Sequence, residues 1–236
     1  MNKIIFLFFS ILSFQILLAQ NIDPINTDRP DQSDGTYILP RNLFQVEEGI
    51  YFANDNIQNN FMLRYGLTKS TEARLLLDAG SIGGASGLLP IGLSIKQRIT
   101  EQKNNFPAVT LVAYIHHEKL ASKDFSSSKI PYSVKLAFQN DLTKRLNVGY
   151  NIGTSNLFET LDATISLGYT DLKKVSLFAE YFSSFQSVAI PNHNFDAGIL
   201  FLINSRFQID LAVGTELFSN ENRKFFTSGI SYRFKK

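Results

Sequence analysis

The chain has 236 residues, 44% of them hydrophobic and 19% charged, with 21 Phe, 9 Tyr and neither Cys nor Trp. Such an apolar fraction excludes wholesale disorder, and the lack of Cys excludes a disulfide framework, thiol catalysis, a lipid-anchored Cys and any Cys-based zinc site. With 23 basic against 21 acidic residues and a formal net charge of +2, there is no electrostatic footprint for nucleic acid. The length suits one domain with at most an appendage. A low charged fraction and abundant Phe together hint at a lipid environment.

Lys3 supplies the only early positive charge, and Ile4 to Leu18 is an apolar run broken only by Ser10, Ser13 and Gln15. Ala19 then offers a small residue before Gln20. This is the pattern of a secretory signal peptide over 1–19, cleaved after Ala19. As a helix the run would span roughly 22 Å, short of a hydrocarbon core of about 30 Å. No later stretch is apolar enough for long enough to cross as a helix, so a membrane form of this chain must cross as strands.

Residues 20–42 are polar, with Pro24, Pro30 and Pro40 and the acidic cluster Asp28, Asp31 and Asp34. They read as an irregular leader ahead of a unit spanning 43–236. From there the sequence alternates with period two, the strand signature. In 161–169, Leu161, Ala163, Ile165, Leu167 and Tyr169 share one face, and Asp162, Thr164, Ser166 and Gly168 the other. About twelve such segments follow one another, near 44–54, 58–67, 71–81, 88–99, 107–116, 131–141, 145–155, 160–169, 174–184, 194–203, 206–217 and 225–234. Most run about ten residues, the length of a tilted transmembrane strand; soluble strands average nearer five or six. Even-numbered links are mostly tight (68–70, 142–144, 170–173, 204–205) and odd-numbered ones mostly longer (117–130, 184–193), as in outer-membrane barrels. The links at 100–106 and 156–159 depart from that rule. Alternation alone does not separate a membrane barrel from a soluble β-sandwich. Strand length, loop asymmetry, the export signal and Phe content favour an all-β, antiparallel, twelve-stranded transmembrane barrel in a bacterial outer membrane, surrounded by outer-membrane lipid.

With the apolar face outward, the lumen receives Glu47, Arg64, Glu72, Arg74, Asp78, Lys96, Arg98, Lys135, Asp162, Glu180, Asp196, Asp210, Glu216 and Arg233. Bases dominate the early strands and acids the late ones, so closure sets a basic wall against an acidic wall. Such walls either orient a polar solute or pair with each other across a filled lumen. Asp28, Arg29 and Asp31 of the leader are candidates for a plug that joins them, the prolines denying it regular ladder bonds; a disordered tail is the other reading of the leader. An outer-membrane lipid-modifying enzyme would need a nucleophile and a base within reach. The histidines are His116, His117 and His193, near Ser126, Ser127, Ser128 and Ser187. No G-x-S-x-G elbow is present, and adjacent His116 and His117 point to opposite faces of a strand. No pattern calls for a metal or a cofactor, and the reading is of a non-enzyme. The Gly83, Gly84 and Gly87 stretch lacks the P-loop Lys and a following helix.

Two resemblances add to this. In the last strand, Thr227, Gly229, Tyr232 and Phe234 resemble the C-terminal assembly signal of outer-membrane barrels, followed here by Lys235 and Lys236. This implies the barrel-assembly machinery and periplasmic chaperones as partners. Thr27-Asp28-Arg29-Pro30-Asp31-Gln32 with Gln45-Val46-Glu47-Glu48-Gly49 resembles a family of outer-membrane transporters labelled "MetA-pathway of phenol degradation". That resemblance implies passive transport of a small-molecule solute, hydrophobic or aromatic. A closed structural or adhesion barrel is the alternative.

Overall fold

The structure, a computed structural model, describes residues 23–235 apart from 55, 129, 173, 188 and 220–222. The expected signal peptide and residues 20–22 lie outside the described residues. Thirteen strands follow the leader. They are β1 (Phe44–Ala53), β2 (Asn56–Gly66), β3 (Thr71–Ile82), a short β4 (Ala85–Leu88), β5 (Ile91–Thr100), β6 (Ala108–His117) and β7 (Tyr132–Asp141). After them come β8 (Leu146–Ser155), β9 (Thr160–Leu172), β10 (Val175–Gln186), β11 (Asn192–Asn204), β12 (Phe207–Leu217) and β13 (Lys224–Arg233).

Each long strand pairs antiparallel with its neighbours, and β1 pairs with both β2 and β13. The sheet therefore closes, and no long strand keeps an unpaired edge. The twelve long strands form the closed antiparallel barrel expected from the alternation. One segment differs: the strand read as 88–99 is split. Gly87 takes a φ of 149°, which favours glycine, and Pro90 has no N–H to continue the ladder. Residues 85–88 fold back on β3 as β4 through a turn at Gly83 and Gly84, and β5 pairs with β3 only from Gly92. In the link 118–131, two single 3-10 turns, Glu118–Leu120 and Lys123–Phe125, stand where no regular structure was expected.

The two faces of the wall decide its surroundings. Ile165 is 52% exposed and Ile95 53%, whereas Arg64, Glu72, Lys96 and Asp210 are 0% exposed. Charge inside and hydrocarbon outside is the inverse of a soluble sandwich and suits a barrel in lipid. Aromatic pairs mark both rims: Phe44 and Tyr65 stack at 4.4 Å beside the chain's entry, and Phe52 and Phe226 lie 6.2 Å apart at the far end. Links at the entry end are mostly short, such as 67–70 and 205–206, and it is called the turn end below; the opposite, loop end carries 118–131, 187–191 and 218–223.

Ile165 is near the middle of β9 and points outward. Replacing it with Arg is expected to cost the folded barrel about 2–4 kcal/mol, the midplane value for a lipid-facing cation. Denaturant titration in liposomes measures it; an unchanged midpoint would place that face away from lipid.

Candidate functional site

The leader lies inside the barrel. It enters and leaves at the turn end: the N–H of Ile25 donates to Ser205 O (2.9 Å) and the N–H of Asn42 to Gly66 O (2.8 Å). Between those points it reaches the middle of the lumen, where the Ser33 hydroxyl meets Thr164 of β9 at 2.7 Å and also bonds Glu180 of β10. A buried segment with no ladder of its own must find partners for its backbone N–H groups. Wall side chains supply them. Glu47 accepts from the N–H groups of Asp28 and Arg29 at 3.1 and 3.2 Å, Glu180 from Gln32 at 2.7 Å, and Glu72 from Leu39 at 2.7 Å. The Asn151 amide bonds both N–H and C=O of Asp34, at 2.7 and 3.1 Å, as a strand neighbour would.

The charges interlock as well. Arg64 and Arg74 pair with the wall carboxylates Glu47 and Glu72, and Asp28 and Asp34 of the leader join Lys96 and Lys135 to the same cluster. Asp28 meets Arg74 at 2.7 Å, Lys96 at 2.8 Å and Arg64 at 3.5 Å. Asp34 meets Arg74 at 2.9 Å and Lys135 at 3.2 Å, and accepts from Tyr114. Arg64 closes the cluster onto Glu47 at 2.6 Å and Glu72 at 2.7 Å. Burial works to raise the Asp28 and Asp34 carboxyls, but these cations hold both well below the usual carboxylate range.

Arg29 reaches the other way, to Asp210 on the acidic wall at 3.3 Å and to Thr227 at 2.9 Å. Its guanidinium sits against Gly49 and Gly229, which are register partners on β1 and β13; a Cβ at either position would collide with it. Gln45 donates to Asn26 O at 2.8 Å and accepts from Arg233 at 3.0 Å. The two motifs quoted above, one in the leader and one in β1, are therefore two halves of one contact.

All fourteen expected lumen residues lie on the inward face. Asp78 accepts from the N–H of Phe61 at 3.2 Å, Arg98 pairs with Glu101 at 2.8 Å, Asp162 accepts from Ser184 at 2.6 Å, and Glu216 stands 4.0 Å from Arg223. Asp196 is fully buried opposite Glu180, and its carboxylate has no hydrogen-bond partner among the described residues. Of the expected leader residues, Asp28 and Arg29 join the walls by ion pairs. Asp31 makes none among the described residues: it lies beside Glu180, Asp28 and Asp196, so that burial and like charge push its carboxyl up. The ion-pairing role falls instead to Asp34, whose position in the same acidic cluster was the only signal for it. Glu48 points outward in mid-β1, where Asn59 donates to it.

The histidines do not assemble with a serine in the loop 126–128. His116 lies on the inward face and His117 on the outward one. On the outer face His193 Nδ1 stands 2.6 Å from Tyr181 Oη and 2.7 Å from Ser183 Oγ. Ser183 donates to Asn192 O at 3.0 Å, so its proton is not directed at the imidazole. Phe185 and Phe218 close the ring in. This cluster is a packed clamp.

The leader divides the lumen. Above it, toward the loop end, is a cavity of about 550 Å³ floored by Asp28 to Asp34, and toward the turn end one of about 260 Å³ between Asn26, Thr36, Tyr37 and Gln139.

Valine at Gly49 or Gly229 is expected to displace Arg29 and release the leader. Hydrogen exchange at the Asp28, Arg29 and Asp34 amides should then accelerate by at least about tenfold while strand amides stay protected. Unchanged exchange would show that the glycine slot does not hold the leader.

Known structures share this architecture. The COG4313 outer membrane channel from Pseudomonas putida F1 superposes with a TM-score of 0.68 at 13% identity, over 89% of this chain and 100% of that one. The KdgM porin gives 0.64 at 11% identity over 81% and 99%, and the NanC porin 0.61 at 9% over 80% and 98%. At such identities the likeness is one of fold. No curated protein matches the sequence significantly. The sequence profile described as "Putative MetA-pathway of phenol degradation" matches residues 27–234, nearly the whole barrel together with the leader that fills it, and the chain belongs to that family.

Proposed function

We propose that the chain is a channel of the bacterial outer membrane that passes a small solute and is held shut by its own leader. The supporting observation is the leader itself. It crosses between two cavities and is bound to both walls by charge, through Asp28 and Asp34 on one side and Arg29 on the other. In this reading residues 1–19 direct export, the turn end faces the periplasm and the loop end the exterior. Thr227, Gly229, Tyr232 and Phe234 present the last strand to the barrel-assembly machinery and periplasmic chaperones. Two of these four residues have a second task, since Thr227 and Gly229 also hold Arg29.

Opening requires the leader to give up its ion pairs to water or to an incoming solute. The inward charges of the two walls then line the path. The family's description names phenol, and Tyr51, Phe182 and Phe225 of the larger cavity give a ring-shaped solute a face to rest on. A closed structural barrel is the reading that survives if the leader never leaves.

Single-channel recording on the mature chain, compared with a form lacking residues 23–41, tests the proposal. Steady conductance from the truncated form and little from the intact one is expected. Equal conductance would remove the leader from the gate; silence from both, with insertion confirmed by heat-modifiable migration, would leave a closed scaffold.

A further inference from the structure

The larger cavity has a chemistry of its own. Three rings meet on one side of it: Tyr51 of β1 and Phe225 of β13 stack at 5.6 Å, and Phe182 of β10 stands edge-on to Phe225 at 6.2 Å. The platform is held by Gly214 of β12, where a Cβ would run into the Phe225 ring. Carboxamides flank it: Asn56, Gln58 and Asn60 project inward from β2, Asn192 and Asn194 from β11. Between β2 and β11 the wall is built only of β1, β13 and β12, so the two amide rows look across the rings at a shared space.

Most of these amides keep hydrogen-bonding capacity. The Gln58 carboxamide makes no hydrogen bond among the described residues. Asn56 spends its oxygen on the N–H of Gly83 at 3.1 Å and keeps its NH₂; Asn194 donates to Asn192 at 2.6 Å and keeps its own oxygen. Each carboxamide offers both a donor and an acceptor, a match for hydroxyl groups, which are both as well. Most charged groups at the cavity are already engaged: Asp28, Arg29 and Asp34 of the floor by ion pairs, Asp78 by Phe61 and Asn60, Glu216 by Arg223; Asp31 of the floor makes no ion pair among the described residues. An anionic solute would meet Asp31, Asp78 and Glu216. An unsubstituted arene would cover the amides and leave them without partners. A ring of C–H bonds edged with hydroxyls satisfies both halves, the C–H face on the electron-rich rings and the hydroxyls on the amides. The volume, about 550 Å³, is that of a site for one small molecule.

We infer that the cavity above the leader is a binding site for a neutral saccharide, seated on Tyr51 and Phe225 and held by the β2 and β11 carboxamides. The inference rests on the reading of the barrel as a solute channel, entered from the loop end.

Calorimetric titration of the folded full-length barrel in detergent with maltotriose, digalacturonate and phenol in turn tests it. Maltotriose is expected to bind best. Tyr51→Ala should weaken it by at least about tenfold, as should Asn192→Ala combined with Asn194→Ala, while Tyr51→Phe keeps affinity within about threefold. The Phe variant, together with heat-modifiable migration of every variant, separates lost binding from lost folding. No heat from maltotriose, or tighter binding of digalacturonate or phenol, overturns the inference. Binding is read here without current: a truncated barrel that carries no current while maltotriose still binds at Tyr51 removes the channel and keeps the site, and a conducting barrel indifferent to maltotriose does the reverse.

Discussion

Four inward cations of β2, β3, β5 and β7, Arg64, Arg74, Lys96 and Lys135, outnumber the two wall carboxylates that form ion pairs among them, Glu47 and Glu72, and the rest of the interior follows from that imbalance. Unpaired charge away from bulk water is costly, and removing one member of a buried cluster leaves the others uncompensated. Asp28 and Asp34 complete the cluster, which draws the leader to mid-lumen and fixes where its backbone N–H groups need acceptors. Glu47, Glu72 and Glu180 then serve twice, as wall charges and as acceptors for those N–H groups. A segment with three prolines, unable to build a ladder, is thereby ordered without one.

Closure and contents are coupled through two glycines. Gly49 and Gly229 face each other across the seam where the first long strand meets the last. The space their missing side chains leave is taken by Arg29. The leader can therefore dock fully only on a barrel whose ends have met. This couples the order of events: strands pair, the seam closes, and the guanidinium slot comes into being with it.

The sequence carried the barrel plainly, because period-two alternation is a local property and each strand displays it by itself. The same alternation put all fourteen charged residues on the inward face. What it concealed has physical reasons. In β6, Thr110, Val112, Tyr114 and His116 share the inner face, but Val112 makes the strand look apolar throughout, so Tyr114 gave no sign of its bond to Asp34. The split at Pro90 was hidden because Leu88, Leu89, Ile91 and Leu93 form one apolar run, although Leu88 and Leu93 both pair with outward residues of β3 from positions of opposite parity. The path of the leader was least legible: Arg29 meets Thr227 and Asp210 across nearly the whole chain, and no spacing encodes a contact at that separation. The motif residues Gln45, Glu47 and Gly49 stood out as a resemblance, and their common reason, a mould for Asn26 to Arg29, is visible only in three dimensions.

The lumen thus has a charged waist that binds protein and a wider outer chamber of amides and rings that is left free. In the proposed reading charge does the closing and neutral groups do the recognising, so that a solute occupies the chamber before the ion pairs beneath it give way. The claim on which this depends is that leader position and conductance are one variable, and the cysteine-free sequence allows a direct test. Ser33→Cys and Thr164→Cys place two thiols where hydroxyls stand 2.7 Å apart, and adding Asp28→Asn loosens the leader. In one bilayer, the reduced channel should open and oxidation should close it, with reductant restoring the current. Identical conductance in both states, with the disulfide verified by mass, would contradict the account.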